Sequence, residues 1–193
     1  MLTAFVGPMA REGTWHVRCS AINFRAEGPV EKEQIAQFID RMTYKNIDCQ
    51  MIDAGDGRAG SIRVLECPRD PKQKTRYRML INGNHPPSTQ FVTISHELAH
   101  LFLGHLGSDP MLTIPERVSS ESQKELEAES VAFLVAARNR VCSKSEAYLS
   151  NYAREYPTID SVDVYQVIRA AGQVETLLGL TAQLSFDKPE SRG

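Results

Sequence analysis

Apolar residues along the chain follow two different periods. In several stretches they recur at every third or fourth position, which predicts helices over 30–44, 88–104, from 122 onward, 144–154 and 161–178. Short runs rich in Ile, Val, Leu, Met and Tyr predict strands over 47–52, 61–67 and 76–82. Turn-forming residues separate these runs, so a small antiparallel sheet is the simplest arrangement. The pattern therefore predicts an α+β fold in which this sheet packs on several helices.

The ends of the predicted elements carry their own signals. Ser88 or Thr89 is a predicted N-cap for the second helix, and Gly104 suits a left-handed helix stop. A capping box over 122–125 is expected to open the third helix. The strand over 76–82 alternates polar and apolar residues, which predicts a half-buried edge strand to which an extended peptide could be added.

The second helix contains the motif HExxH, formed by His96, Glu97 and His100. Residues four apart lie on one face of a helix, so both imidazoles can reach a single metal ion at about 2.0–2.1 Å. Glu97 is rotated by about 100° from His96, which suits a base that takes a proton from a metal-bound water. Ordinary half-buried histidines are the alternative interpretation. The spacing and the amphipathic helix favour a zinc site.

A third ligand must come from elsewhere in the chain. His105 lies one residue too close to His96 for the HExxHxxGxxH pattern, so we expect it at the surface or beside a ligand. Glu125 and Glu129 share one face of the third helix; one would bind the metal and the other would accept the outer N–H of a ligand imidazole. Glu125 is the favoured ligand and Glu129 the alternative. Glu127 is expected to point to solvent.

Composition narrows the class of protein. The 193 residues carry a net charge of −2, which argues against a general nucleic-acid binder, although a basic cluster over 69–78 is present. The four cysteines are scattered and suggest reduced thiols. The sequence shows neither a signal peptide nor an apolar run long enough to span a membrane, so we expect a cytoplasmic protein without a membrane partner.

The motif region and the acidic helix after it resemble the ImmA/IrrE family of metallo-endopeptidases, and in particular the zincin domain of ArdC-type anti-restriction proteins. The residues that carry the resemblance are the segment His96–His105 and the segment Glu125–Val135. The resemblance implies a zincin-like single domain with Zn²⁺ bound by His96, His100 and Glu125. It also implies that Glu97 is the catalytic base and that Glu129 supports a ligand.

The resemblance further implies an activity and its context. We expect a zinc endopeptidase that acts on a specific protein, with a helix-turn-helix repressor encoded on a mobile element as the candidate substrate. The alternative is a non-cleaving regulatory or anti-restriction module that binds a protein or DNA. Tyr148, Tyr152 and His105 are candidates for stabilising an oxyanion. The catalytic domain is expected over 30–180, between a loosely structured extension (1–29) and a flexible tail (181–193).

Overall fold

The computed structural model describes residues 25–55, 57–68, 73–114, 117, 119–144, 149 and 162–180. Its elements follow the chain as β1 (Ala26–Glu27), α1 (Lys32–Thr43), β2 (Ile47–Ile52), β3 (Gly60–Glu66), β4 (Arg76–Asn82), α2 (Pro87–Phe102), a 3₁₀ turn (Pro110–Leu112), α3 (Glu121–Arg138), β5 (Cys142–Ser143) and α4 (Val164–Leu178). The predicted α+β class is confirmed. The helix predicted over 144–154 lies almost entirely outside the described residues.

The sheet differs from the predicted antiparallel one. Its strand order is β2-β4-β3, with β4 parallel to β2 and antiparallel to β3. The prediction that β4 is an edge strand is therefore wrong, because β4 is paired on both sides. The predicted alternation within β4 is confirmed, since Tyr77, Met79 and Ile81 are buried. Among the described strands, β3 is an edge strand of this sheet that also contacts α2.

Helix α2 lies at the centre of the packing. Every residue from Ser88 to Phe102 is buried, because β3, β4, α1, α3 and α4 all contact this helix. Its apolar residues, such as Leu98 and Leu101, supply much of the core. At about 1.5–3 kcal/mol for each buried side chain of this size, they fix the axis of the helix firmly. Polar residues on the same helix are thereby held in a rigid, largely water-free setting.

The two ends of α2 are secured in different ways. The helix begins at Pro87 without a side-chain cap, so the prediction of Ser88 or Thr89 as N-cap is wrong. Both hydroxyls instead contact the segment around β1: Ser88 donates to the carbonyl of Gly28 at 2.9 Å, and Thr89 accepts from the N–H of Ala26 at 3.1 Å. At the other end, Gly104 adopts φ +80°, which confirms the predicted left-handed stop.

The N-cap of helix α3 lies two residues before Ser122, the N-cap of the predicted capping box, so that prediction is wrong. Ser120 is the N-cap, and its hydroxyl accepts a hydrogen bond from the N–H of Gln123 at 3.2 Å. Small residues such as Ala128 and Ala132 are fully buried on the side of α3 that faces the core, which permits close packing. Within the described residues, no helix has the length and apolar character needed to cross a membrane.

Gly60 allows β3 to lie close to α2, because it has no side chain. A Cβ atom at this position would lie 2.6 Å from Cγ2 of Thr93 and 2.8 Å from the carbonyl oxygen of Leu80. We expect Gly60→Ala to lower the free energy of unfolding by about 1–3 kcal/mol, since the strand must move away from the helix. Gly172→Ala is the matched control, because a Cβ at Gly172 in α4 would meet no atom within 4 Å.

Urea unfolding of both variants checks this expectation. The control should be unchanged or more stable by up to about 1 kcal/mol, since alanine is the better helix former. Equal stability of Gly60→Ala and the wild type would contradict the close contact of β3 with α2.

Candidate metal centre

Two imidazoles of α2 face each other one helical turn apart. The Nε2 atoms of His96 and His100 are 3.0 Å apart, and the side chains are 2% and 0% exposed. The i, i+4 spacing therefore has the geometric effect expected from the sequence. Buried ring nitrogens at this distance require a proton or a cation between them, because two lone pairs would otherwise repel each other.

A carboxylate from α3 completes the group. The oxygens of Glu125 lie 3.6 Å from Nε2 of His96 and 3.5 Å from Nε2 of His100. Glu125 is 32% exposed on its side chain, so it forms the open side of an otherwise buried cluster. Among the described residues, His96, His100 and Glu125 form the one cluster of His, Cys, Asp or Glu side chains whose ligand atoms converge closely enough to hold a metal ion.

Glu129 contacts the outer nitrogen of His96. Its Oε2 is 3.0 Å from Nδ1 of His96, and its side chain is only 3% exposed. An ionised carboxylate only accepts hydrogen bonds, so Nδ1 of His96 carries the proton and Nε2 presents a lone pair to the cluster. This arrangement is the one expected if Glu125 binds the metal and Glu129 orients His96.

His105 is buried beside His100. The end of α2 forms a complete Schellman motif, in which Gly104 N–H bonds to Leu101 O at 3.1 Å and His105 N–H bonds to His100 O at 3.0 Å. This turn brings the edge of the His105 ring against the His100 ring, with the two Nδ1 atoms 2.9 Å apart. His105 was expected either at the surface or beside a ligand, and the structure places it beside the proposed ligand His100. The glycine stop was the signal in the sequence.

Glu127 does not point to solvent, so that prediction is wrong. It does lie on the opposite side of α3 from Glu125 and Glu129, but that side is covered, and the residue is fully buried. Its carboxylate lies 3.2 Å from Nε2 of His105 and accepts two hydrogen bonds of 2.8 Å from Arg117. Arg117 lies in a loop and belongs to no periodic pattern, so this contact has no signal in the sequence.

The electrostatics of the cluster follow from burial and from these partners. Burial, together with the neighbouring His96 and His105, holds the pKa of His100 well below its usual range. Burial also lowers the pKa of His105, and the hydrogen bond to Glu127 opposes this effect. Burial alone would raise the pKa of Glu127, but His105 and Arg117 lower it to about 2. These shifts favour neutral rings at His100 and His105 and a carboxylate at Glu127.

The donor set fits a divalent transition metal. For ligand atoms at 2.0–2.1 Å from a tetrahedral ion, the separation of any two is about 3.3 Å. The observed separations of 3.0, 3.5 and 3.6 Å bracket this value. Two neutral imidazoles and one carboxylate leave a fourth position for water, which is the ligand pattern of catalytic rather than structural zinc sites.

A cleft of about 670 Å³ lies beside His105. It runs between the second half of β3 and the loop after α2, and its walls include Val64, Tyr77, His105 and Lys124. His105 contacts the outer nitrogen of His100, and the cleft is lined by neither His100 nor the other proposed ligands. The edge strand β3 therefore lies along a cleft that His105 separates from the proposed ligand His100.

Three further sets of predicted residues remain: Glu97, the two candidate tyrosines and the basic cluster. Glu97 is fully buried in α2 directly after His96. Tyr148 and Tyr152 lie outside the described residues. The basic cluster is only partly described: Arg78 forms an ion pair with Asp48 at 2.7 Å, and Arg76 contacts Glu66 at 3.4 Å.

Comparison with known proteins gives one match. Residues 56–149 match the family model of the IrrE N-terminal-like domain, Peptidase_M78. This range includes every residue of the metal-binding group and Glu97. No curated protein and no solved structure matches the chain.

Proposed function

We propose that the protein is a zinc-dependent endopeptidase, because residues 56–149 match the IrrE N-terminal-like family of metallopeptidase-type domains, in agreement with the sequence resemblance. The observation that carries the proposal is the convergence of the ligand atoms of His96, His100 and Glu125. Helix α2, which bears the two histidines, also bears Glu97. A purely structural site has no use for a base beside the metal.

In this proposal His96, His100 and Glu125 hold Zn²⁺. Glu129 keeps His96 in the tautomer that offers Nε2 to the ion, because its carboxylate accepts a hydrogen bond from Nδ1–H at 3.0 Å. Zinc, when bound, supplies Lewis-acid activation of a water molecule and of the scissile carbonyl. The partial exposure of Glu125 leaves the open side of the centre accessible to water and substrate.

Glu97 is the general base in this reaction. It takes a proton from the attacking water and then donates that proton to the leaving amine, so that hydroxide is added to the carbonyl carbon and the C–N bond breaks. Its burial in α2 fixes its position without a mobile loop. Fixed placement of this kind is worth several orders of magnitude in rate when the substrate is also held in place.

The substrate is expected to bind as an extended strand along β3 rather than along β4. β4 is paired on both sides, whereas β3 is an edge strand among the described residues, and Val64 of β3 and His105 both line the cleft. Backbone hydrogen bonds to an edge strand select extended, locally unfolded peptides without reading sequence. Specificity would then come from side-chain contacts in the cleft.

The proposed substrate is a specific protein, and the candidate is a helix-turn-helix repressor supplied in trans. The family resemblance supports this choice. Labelling of newly formed protein N-termini in cells tests the proposal, and this method requires no candidate substrate. Cells that express the wild type are expected to contain new N-termini that are absent from cells expressing Glu97→Gln.

The same experiment separates cleavage from binding. If one cellular protein co-purifies with both forms and neither produces new N-termini, the protein is a non-cleaving module and the proposed function is wrong.

A further inference from the structure

A chain of buried polar groups leads away from His100 on the side opposite the metal-binding group. His100 contacts His105 through the two Nδ1 atoms at 2.9 Å, and Nε2 of His105 contacts Glu127 at 3.2 Å. Arg117 donates both of its terminal nitrogens to the same carboxylate at 2.8 Å. His100, His105 and Glu127 are all buried, so water cannot easily replace these partners.

The protons in this chain can be assigned from one end to the other. Both oxygens of Glu127 accept hydrogen bonds from the guanidinium of Arg117, the pairing of a carboxylate, so Nε2 of His105 must be the donor in its 3.2 Å contact with Glu127. The two Nδ1 atoms lie 2.9 Å apart, so one of them donates and the other accepts; with its proton on Nε2, His105 accepts through the lone pair of Nδ1 and Nδ1–H of His100 donates. That leaves Nε2 of His100 without a proton and directed at His96 and Glu125.

We propose that His105, Glu127 and Arg117 form a positioning relay that holds His100 in its metal-binding tautomer. The relay does for His100 what the single carboxylate of Glu129 does for His96. It needs an extra ring because the carboxylate that serves His100 lies on the opposite side of α3 and reaches Nδ1 only through His105. This inference rests on the proposed zinc site.

Without the relay, His100 has a competing arrangement. Its Nε2–H could donate to Nε2 of His96, which lies only 3.0 Å away, and both nitrogens would then be occupied by that hydrogen bond. Zinc would have to displace that proton before binding. Partners that orient the ligands of a metal site typically contribute a factor of about 10–100 in metal affinity.

Two substitutions of His105 test the relay through zinc affinity, measured by competition with a chromogenic chelator. His105→Leu removes both contacts and is expected to weaken zinc binding by about 10–100-fold. His105→Gln keeps one acceptor and one donor on its amide, so it is expected to restore most of that affinity. Zinc binding by His105→Leu that is as tight as in the wild type would overturn the proposal.

Arg138→Gln is the control for general destabilisation. Like Arg117, Arg138 pairs with a buried glutamate, here Glu175 at 3.1 Å, but this pair takes no part in the metal-binding group. The variant is expected to lose stability and to keep its zinc affinity. An equal loss of zinc affinity in Arg138→Gln and His105→Leu would mean that loosened packing, not the relay, is responsible, and would refute the proposal.

Ring ¹⁵N spectra of the zinc-loaded protein give a readout that does not depend on activity. His105 is expected to be protonated on Nε2 and unprotonated on Nδ1. A proton on Nδ1 of His105 would overturn the relay even if zinc binds. A wild type that binds no zinc would instead refute the proposed function, so the two failures can be told apart.

Discussion

His100→Ala is expected to lower zinc affinity by at least about 10²- to 10³-fold, and cleavage is expected to be lost with it. A complete zinc site contributes about 10–16 kcal/mol, so each of its ligands accounts for several kcal/mol. The change also removes the ring nitrogen that faces Nε2 of His96 at 3.0 Å. Elemental analysis after dialysis against a weak chelator measures the effect.

The control for this experiment is His85→Ala. His85 is half-buried in the loop before α2, and its Nε2 lies 3.4 Å from Nδ2 of Asn82, away from the metal-binding group. The control variant is expected to retain one zinc ion per chain. If His100→Ala also retains zinc, the ligand assignment is wrong.

Comparison of Glu125→Ala with Glu129→Ala decides which glutamate is the third ligand. Glu125 approaches both Nε2 atoms, whereas Glu129 contacts the outer nitrogen of His96. Glu125→Ala is therefore expected to lower zinc affinity as much as the removal of any ligand does. Glu129→Ala is expected to lower zinc affinity less, by about 10–100-fold. The reverse order would exchange the two roles.

Glu97→Gln is expected to keep zinc and to lose cleavage by about 10²- to 10⁴-fold. The amide has the size of the carboxylate but cannot take a proton from water, and general-base catalysis contributes a factor of this size. The measurement is kcat/KM on a peptide that spans the cleavage site found in cells, with zinc content determined on the same sample. Glu33→Gln, a change on the exposed face of α1, is the control.

Near-normal cleavage by the zinc-loaded Glu97→Gln variant would rule out Glu97 as the base. Loss of zinc in this variant would show that the side chain supports the metal-binding group instead. In the proposed mechanism, zinc content stays constant and only the rate changes.

The helix that bears the metal-binding group could be predicted from the sequence because its signals are local. The i, i+4 spacing of His96 and His100 and the stop at Gly104 depend on neighbours within two turns. The same is true of the shared face of Glu125 and Glu129. These short-range features predict the two halves of the candidate centre, one on each helix, without any knowledge of packing.

The features that could not be predicted depend on long-range packing. Strand β2 pairs with β4 although β3 lies between them in the sequence, and no local pattern encodes that pairing. Helix geometry predicted the direction in which Glu127 points. It could not predict that Arg117 would cover that side of the helix. Gly104 did carry a usable signal for His105. A Schellman turn places the second residue after the C-cap, here His105, beside the last turn of the helix.

The most direct test of the proposed centre is X-ray absorption at the zinc edge of the zinc-loaded protein. We expect one zinc ion per chain with two imidazoles and oxygen ligands at about 2.0–2.2 Å. We expect no sulfur ligand. Burial raises the pKa of Cys49 to about 12, and none of the described cysteines belongs to the metal-binding group. A sulfur shell, or a single imidazole, would contradict the centre formed by His96, His100 and Glu125.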